Sequence, residues 1–207
     1  PSARLNDAQP AKELKMKFGL VCWSLGAHKA AGLVNTGRDY AAKARELGFD
    51  GIVLPPMLLP PMDRPDEIRE FKAFAADRGV FVKYAAGSSI LKAVAEGSIR
   101  RIFDYAAELG VDTIYSQLAD CGARLAQQWG AETTRRKLDD LAATLDALGP
   151  AAEAAGFRIA LENHIDYRAG EVAGLCSRCA SPAIGFAFDT ANQLALLDDP
   201  VEYFEIV

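Results

Sequence analysis

The chain has 207 residues, of which 50% are hydrophobic and 25% are charged, as in an ordinary globular protein. Its net charge of −5 and the absence of a basic tract argue against nucleic acid as a partner. No apolar run approaches the roughly 20 residues that cross a bilayer, and four dispersed cysteines do not make a disulfide scaffold. We therefore expect a cytoplasmic protein with a polar N-terminal extension, residues 1–17, and one domain, residues 18–207.

Strands and helices are predicted to alternate along the first half of this domain. Short apolar runs bounded by glycine or proline predict buried strands, and apolar residues three or four positions apart predict helices. The predicted order is strand 18–24, helix 38–47, strand 49–54, helix 66–78, strand 80–85, helix 90–109 and strand 111–116. The proline-rich loop 55–61 is expected to be neither helix nor strand, because proline removes a donor and restricts the residue before it.

A longer helix is predicted to open the second half. It runs over about residues 133–155 with leucines along one face, and we expect it to bend at Gly149-Pro150. Strand 157–161, helix 171–178 and strand 184–188 follow. A last helix is expected from Asp199-Pro200, because this pair suits the start of a helix.

Regularly spaced glycines mark the repeated unit of helix, glycine and strand. Gly48, Gly79 and Gly110 are 31 residues apart, and Gly156 follows 46 residues later after the longer helix. A period of about 31 residues is what eight units make of a barrel of roughly 250 residues, so we predict an α/β fold of the TIM (β/α)8 type. A doubly wound sheet is the alternative, but no G-x-G-x-x-G or Walker-type loop follows a predicted strand.

Two carboxylates stand at the ends of neighbouring predicted strands. Because side chains alternate along a strand, Glu162 shares a face with Ala160, and Asp189 shares a face with Ala187 and Gly185. Small residues on that face leave room, and α/β proteins build their sites at the C-terminal ends of parallel strands. The pair is therefore a candidate site for a hard divalent cation, which prefers carboxylate oxygens.

At Ala160-Leu-Glu-Asn-His164 and Phe188-Asp-Thr-Ala-Asn192 the chain resembles the xylose-isomerase-like TIM-barrel superfamily of sugar isomerases and epimerases. The resemblance covers most of residues 18–207 and is specific mainly at these two motifs. It implies a divalent metal ion (Mn, Mg, Co or Zn) held by Glu on strand five, Asp on strand six, His on strand seven and Glu on strand eight. Glu162 and Asp189 match the first two of these ligands.

The sequence departs from the superfamily pattern at three points. Asn192 stands where a substrate-binding histidine is common, and Arg168 replaces a second glutamate found in ketose epimerases. Six strand–helix units are visible, so the barrel is incomplete and the other two ligands are missing. We expect the sequence to be a fragment of a longer chain, inactive on its own; completion by a partner chain is the other option.

The resemblance implies an isomerase, an epimerase or a related dehydratase that acts on a sugar or cyclitol through an enediolate. Such a metal polarises a carbonyl and stabilises the enediolate formed when a neighbouring C–H proton leaves. Glu162 is the candidate ligand and base. The candidate substrate-binding residues near the strand ends are His164, Asn192, Trp23, Lys83 and Gln117. A homo-oligomer is compatible with the sequence.

Each of these residues also has a structural interpretation. Glu162 and Asp189 can cap helices or pair with Arg168, and His164 can bond to a neighbouring loop. Lys83 can extend to solvent from a strand end. Cys176-x-x-Cys179 has redox or zinc spacing, but it lies in a predicted helix without a second pair, so we interpret it as structural.

Two other functions fit parts of the pattern. A degenerate barrel can serve as a binding or structural subunit, which the missing ligands favour. A relative that cleaves abasic DNA would use more histidines and a metal cluster, and the two histidines and acidic balance argue against it.

Overall fold

Six parallel strands pair in chain order, so that each strand lies beside the one before it in sequence. The computed structural model describes residues 16–87, 89–118, 123–197, 199 and 201. Its strands are β1 Gly19–Val21, β2 Gly51–Leu54, β3 Phe81–Ala85, β4 Thr113–Gln117, β5 Arg158–Glu162 and β6 Ile184–Ala187. This sequential parallel order confirms the barrel-type sheet and excludes the reversed strand order of a doubly wound fold.

Helices connect the strands. Those in the described residues are α1 Gly26–Ala30, α2 Gly37–Glu46, α3 Pro65–Asp77, α4 Ser89–Ala95, α5 Ile99–Leu109, α6 Ala123–Ala126, α7 Ala131–Ala155, α8 Ala169–Arg178 and α9 Asn192–Ala195. None of these helices combines the length and the hydropathy needed to span a bilayer. The predicted N-terminal extension lies outside the described residues up to residue 15, and the helix predicted from Asp199-Pro200 falls largely outside them.

The predicted glycine punctuation is present in the backbone. Gly48, Gly79, Gly110 and Gly156 each follow a helix and adopt φ between +63° and +87°. In this left-handed conformation the chain leaves the helix and turns back toward the sheet, and glycine adopts it without the strain of a Cβ. The 31-residue period therefore reflects a repeated backbone turn.

The main hydrophobic core lies between the outer face of the sheet and the helices. Ile159 and Leu161 of β5, which the alternation assigned to that face, are 1% and 0% exposed. Of the leucine stripe on α7, Leu145 and Leu148 are fully buried. The inner face carries small residues, and a Cβ at Gly51 would lie 2.3 Å from the ring of Phe81. That ring fills the inner face at the N-terminal end of the sheet and leaves the C-terminal end open.

Three local predictions were wrong, and some short helices were not predicted. The helix predicted over 90–109 is two helices, because Gly97 adopts φ +69° between them. Residues Pro56–Leu58 form a 3₁₀ turn, in which proline occupies the first position, where no donor is needed. The first strand ends at Val21 and continues as a 3₁₀ turn, and the short helices α6 and α9 were not predicted. Helix α7, by contrast, continues through Pro150 and ends at Ala155, as the sequence predicted.

Gly156→Ala should destabilise the protein by about 1 kcal/mol, because φ +76° strains any residue with a Cβ even though the space around it is open. Gly174→Ala is the matched control. Gly174 is exposed inside α8, so alanine there should stabilise by roughly 0.5–1 kcal/mol through helix propensity. Urea unfolding measures the free energy of unfolding of both variants. A change of the same sign in the two variants would contradict the explanation by backbone conformation.

Candidate active site

The C-terminal ends of the strands surround a cleft of about 580 Å³. Gln117 ends β4 and Glu162 ends β5, and the two residues are direct neighbours in the parallel register. Asp189 follows two residues after the end of β6. The predicted residues that line this cleft are Trp23, Gln117, Glu162, His164, Asp189 and Asn192. The structure thus brings together both candidate metal ligands and four of the five candidate substrate-binding residues.

Lys83 is the exception. Its Nζ lies 2.5 Å from Oδ1 of Asp112, the residue that precedes β4, and this ion pair is at the N-terminal end of the sheet. Lys83 therefore does not line the cleft with the other candidates. Its long side chain turns toward the Asp112 carboxylate, at the opposite end of the sheet from Glu162.

Glu162 is a buried carboxylate, with only 6% of the residue exposed. Its Oε1 accepts a bond of 3.3 Å from Nδ2 of Asn192, whereas its Oε2 is buried and has no partner among the described residues. Burial raises the pKa of Glu162, and the Tyr115 hydroxyl, the His164 imidazole and the Gln117 amide partly oppose this rise. An unpartnered buried carboxylate oxygen is costly, so this atom is poised for a ligand.

Asp189 is held by the backbone around it. Its Oδ1 accepts hydrogen bonds from the N–H groups of Ala191 and Asn192, at 2.8 and 3.1 Å. These two bonds form a turn before α9, whose N-cap is Ala191. A carboxylate has a second oxygen, and that of Asp189 takes no part in these bonds, so it is available to a partner in the cleft.

Asn163 connects the two carboxylates through their loops. It is fully buried; its Nδ2 donates to the Asp189 carbonyl at 2.8 Å, and its Oδ1 accepts from the Asp189 N–H at 2.7 Å. The amide thus pairs with the backbone of Asp189 as a neighbouring strand would. Since Asn163 follows Glu162 directly, this pair sets the position of Asp189 relative to Glu162. The sequence showed Asn163 only as part of a motif.

The lining of the cleft is divided into an apolar and a polar half. Val21, Trp23, Val53, Pro56 and Met57 come from the first two strands and their loops. The polar half is built by β4 to β6 and the residues after them. Trp23 is 62% exposed and faces this space as the predicted wall. One side of the cleft is therefore apolar, and the other side carries hydrogen-bonding groups.

Tyr115 and Met57 line the cleft without having been predicted to do so. Tyr115 is two residues before Gln117 on β4, so alternation along the strand would have found it. Burial, and next the charge of Glu162, raise the pKa of the Tyr115 hydroxyl, so it stays a donor. Met57 belongs to the proline-rich loop, which carries no periodic signal.

The cysteine pair lies away from this cleft. Cys176 and Cys179 are free thiols at the end of α8, and Cys179 Sγ donates to the Leu175 carbonyl at 3.4 Å. Burial raises the pKa of Cys176 to about 11, which keeps it protonated and unreactive at neutral pH. These contacts agree with the structural interpretation of the pair.

Two carboxylates suit a divalent cation as part of its ligand set. Carboxylate oxygens are the ligands that Mg²⁺ and Mn²⁺ prefer, and the unpartnered Oε2 of Glu162 is such a donor. Within the described residues, no group of three or more His, Cys, Asp or Glu side chains could hold a metal ion. Glu162 and Asp189 therefore supply two ligands, and the remaining positions need other donors.

Residues 41–206 match the family model described as xylose isomerase-like TIM barrel. No curated protein matches the chain.

Solved structures share the fold at low sequence identity. A 3-keto-D-glucoside 4-epimerase from E. coli in its apo form superposes with a TM-score of 0.68 and 18% identity, over 92% of this chain and 74% of its own. D-psicose 3-epimerase in the presence of D-fructose superposes with a TM-score of 0.64 and 18% identity, over 89% of this chain and 67% of its own. A sugar phosphate isomerase/epimerase from Parabacteroides distasonis ATCC 8503 superposes with a TM-score of 0.62 and 17% identity, over 94% of this chain and 73% of its own. The chain spans about two thirds to three quarters of the length of these proteins.

Asn163→Ala should lower the free energy of unfolding by about 1–3 kcal/mol, because it leaves the partly buried N–H and C=O of Asp189 without the Asn163 amide. Chemical denaturation measures the loss. Asn35→Ala is the control, since Asn35 is exposed and its Nδ2 bonds only to the Gly32 carbonyl, and it should change stability by less than about 0.5 kcal/mol. Equal effects in the two variants would refute the role of Asn163.

Glu162→Gln should gain stability relative to the wild type as the pH rises from about 4 to 7 in metal-free protein. The pKa of Glu162 is raised in the folded state, so its contribution to stability is present below the ordinary glutamate pKa of about 4.3 and is lost as the pH rises through the folded value. Glutamine has no such loss. Urea unfolding across this pH range provides the measurement.

The control for this experiment is Glu153→Gln, at an exposed position on α7. Its stability should follow that of the wild type at every pH. A difference between Glu162→Gln and wild type that does not grow with pH would contradict the raised pKa.

Proposed function

Because the chain belongs to the xylose isomerase-like TIM barrel family, we propose that it acts as a divalent-metal-dependent isomerase or epimerase, or a related dehydratase, on a sugar or cyclitol through an enediolate. The observation that carries the proposal is that Glu162 and Asp189 line one cleft, and that a buried oxygen of Glu162 has no partner in the part of the chain that the structure describes. The epimerases and the sugar phosphate isomerase/epimerase that share the fold support the same class of reaction.

Glu162 and Asp189 would hold the metal ion, Mn, Mg, Co or Zn. When bound there, a divalent ion polarises a substrate carbonyl and stabilises the negative charge of an enediolate. Asp189 suits this role because its Oδ1 is already fixed by backbone donors, which orients the carboxylate before any ligand arrives.

Glu162 is the proposed base. Burial raises the pKa of this carboxylate in the metal-free protein. Its proposed role as base rests on its place in the cleft beside the position of the metal ion, where it could remove a proton from a carbon next to a polarised carbonyl. Return of the proton to the opposite face gives an epimer, return to the neighbouring carbon gives an isomer, and departure of a β-hydroxyl gives a dehydrated product. The outcome depends on which protein groups return a proton to the enediolate, and to which of its carbons or faces.

The polar half of the cleft is suited to substrate hydroxyl groups. Asn192 is held by its bond to Glu162, and Gln117 and Tyr115 face the same carboxylate. Trp23 provides an apolar wall that suits the C–H face of a sugar ring. Among the described lining residues there is no lysine or arginine, so the cleft favours an uncharged sugar or cyclitol over a phosphate ester.

A binding or structural subunit is the second candidate. The observation in its favour is that the described residues hold no group of three or more metal-ligating side chains. Such a subunit would take up the sugar-like ligand in the same cleft without converting it. Metal binding and proton exchange separate the two functions.

Adding Mn²⁺ at about 100 times its Kd to metal-free full-length protein should stabilise the fold by about 2.7 kcal/mol, or roughly 5–10 °C in melting temperature. Glu162→Gln and Asp189→Asn should each abolish the shift, because each removes a charged ligand. Glu153→Gln should retain it. Thermal unfolding and metal analysis by mass spectrometry provide the measurements, and a shift that survives both ligand variants would refute the site.

Formation of an enediolate should also exchange a substrate proton with the solvent. In D₂O with Mn²⁺, full-length protein should incorporate deuterium into a ketose at the carbon next to its carbonyl, and Glu162→Gln should reduce the rate at least about 100-fold. Proton NMR of the sugar measures the exchange. Metal binding without exchange on a panel of ketoses and keto-cyclitols would favour the binding subunit.

A further inference from the structure

His164 and Asp166 face each other beside the cleft. Nδ1 of His164 lies 3.9 Å from Oδ2 of Asp166, and the two side chains are 14% and 0% exposed. Both atoms are buried, and neither has a hydrogen-bond partner among the described residues. Two buried polar atoms that lack other partners and lie this close satisfy each other with a small rotation of the ring.

Asp166 is rigidly held, so the ring must adapt to it. Its Oδ1 accepts the backbone N–H of Arg124 at 3.0 Å, and its carbonyl accepts from Nη1 of Arg124 at 3.3 Å. The guanidinium of Arg124 also bonds to both carboxylate oxygens of Glu171, at 2.7 and 3.3 Å. Glu171 in turn accepts the N–H of Arg168 at 2.8 Å. This network fixes the direction of the free Oδ2.

The chemistry of the pair determines which nitrogen of His164 carries the proton. An ionised carboxylate only accepts hydrogen bonds, so the ring nitrogen that faces it must be the donor. A neutral imidazole has one N–H, and placing it on Nδ1 leaves Nε2 with a free lone pair. Since Nδ1 is buried near Asp166 and the ring lines the cleft, we infer that Nε2 is the nitrogen that faces the cleft.

We propose that Asp166 is a positioning residue that holds His164 as the Nδ1–H tautomer, so that Nε2 accepts a hydrogen bond from a substrate hydroxyl. This gives a direction to the hydrogen bond by which His164, a candidate substrate-binding residue from the sequence, would contact the substrate. It also adds a site for one hydroxyl beside Glu162 and Asp189. The substrate part rests on the proposed function, whereas the tautomer is a property of the protein alone.

The tautomer can be measured directly, because the chain has only two histidines. Long-range ¹H–¹⁵N spectra of the labelled chain at about pH 8.5, where an ordinary imidazole is neutral, distinguish a protonated ring nitrogen from a bare one. His28→Gln assigns the two rings. We expect Nδ1–H and a bare Nε2 at His164. A proton on Nε2, or on both nitrogens, would overturn the proposal.

Asp166→Asn tests the cause of this preference. Its side-chain oxygen can still accept the Arg124 N–H, but its amide then directs a donor at Nδ1, so His164 should switch to the Nε2–H tautomer. Asp77→Asn, an exposed aspartate in α3, should leave the spectrum unchanged. A folded Asp166→Asn variant with an unchanged ring would overturn the role of Asp166. If this variant does not fold, the wild-type spectrum alone decides.

The functional consequence is a selective loss of substrate affinity. In active full-length protein Asp166→Asn should raise KM about tenfold, the effect of one hydrogen bond, while the Mn²⁺ affinity stays within about twofold. A loss of Mn²⁺ affinity equal to the loss in KM would indicate a general structural role and overturn the proposal. Failure of metal binding in the wild type would instead refute the proposed function and leave the tautomer result standing.

Discussion

The buried amide of Asn163 connects the two carboxylates of the site. Its two hydrogen bonds to the Asp189 backbone continue the pairing of β5 and β6 beyond the last ladder pair, Glu162 with Ala187. Parallel strands place their C-terminal ends at one edge of a sheet, but they do not set the loops after those ends. The amide does this for Asp189, and the distance between the two acids depends on it.

The two ends of the sheet differ in the contacts that their side chains make. At the N-terminal end, the Phe81 ring occupies the space above Gly51, and Lys83 pairs with Asp112. At the C-terminal end, the Glu162 carboxylate is buried with one oxygen that has no partner among the described residues, and such burial costs stability. Stabilising contacts thus lie at one end of the sheet, and the candidate site lies at the other, as in TIM barrels generally.

The polar half of the cleft is supported by a second layer of contacts. Arg124, from the segment after β4, joins Asp166 and Glu171 from the segment after β5, so that the loop bearing His164 is held from outside the cleft. Such support would serve the proposed binding of hydroxyl groups, which needs donors and acceptors in fixed directions. The apolar half, with the exposed Trp23, provides contact area without directional demands.

Periodicity and residue chemistry sufficed to predict much of this molecule. The recurrence of glycine after each helix, the alternation along β5 and β6, and the parallel order placed Glu162 and Asp189 at one end of the sheet. These features depend on local backbone geometry and on residue spacing, which the sequence contains. The direction of the Lys83 side chain and the position of Asp166 beside His164 were decided by tertiary structure. Lys83 turns to Asp112, 29 residues away in sequence, and Asp166 is held by Arg124, 42 residues away. Such distant groups come within reach of one another only when the whole chain has packed.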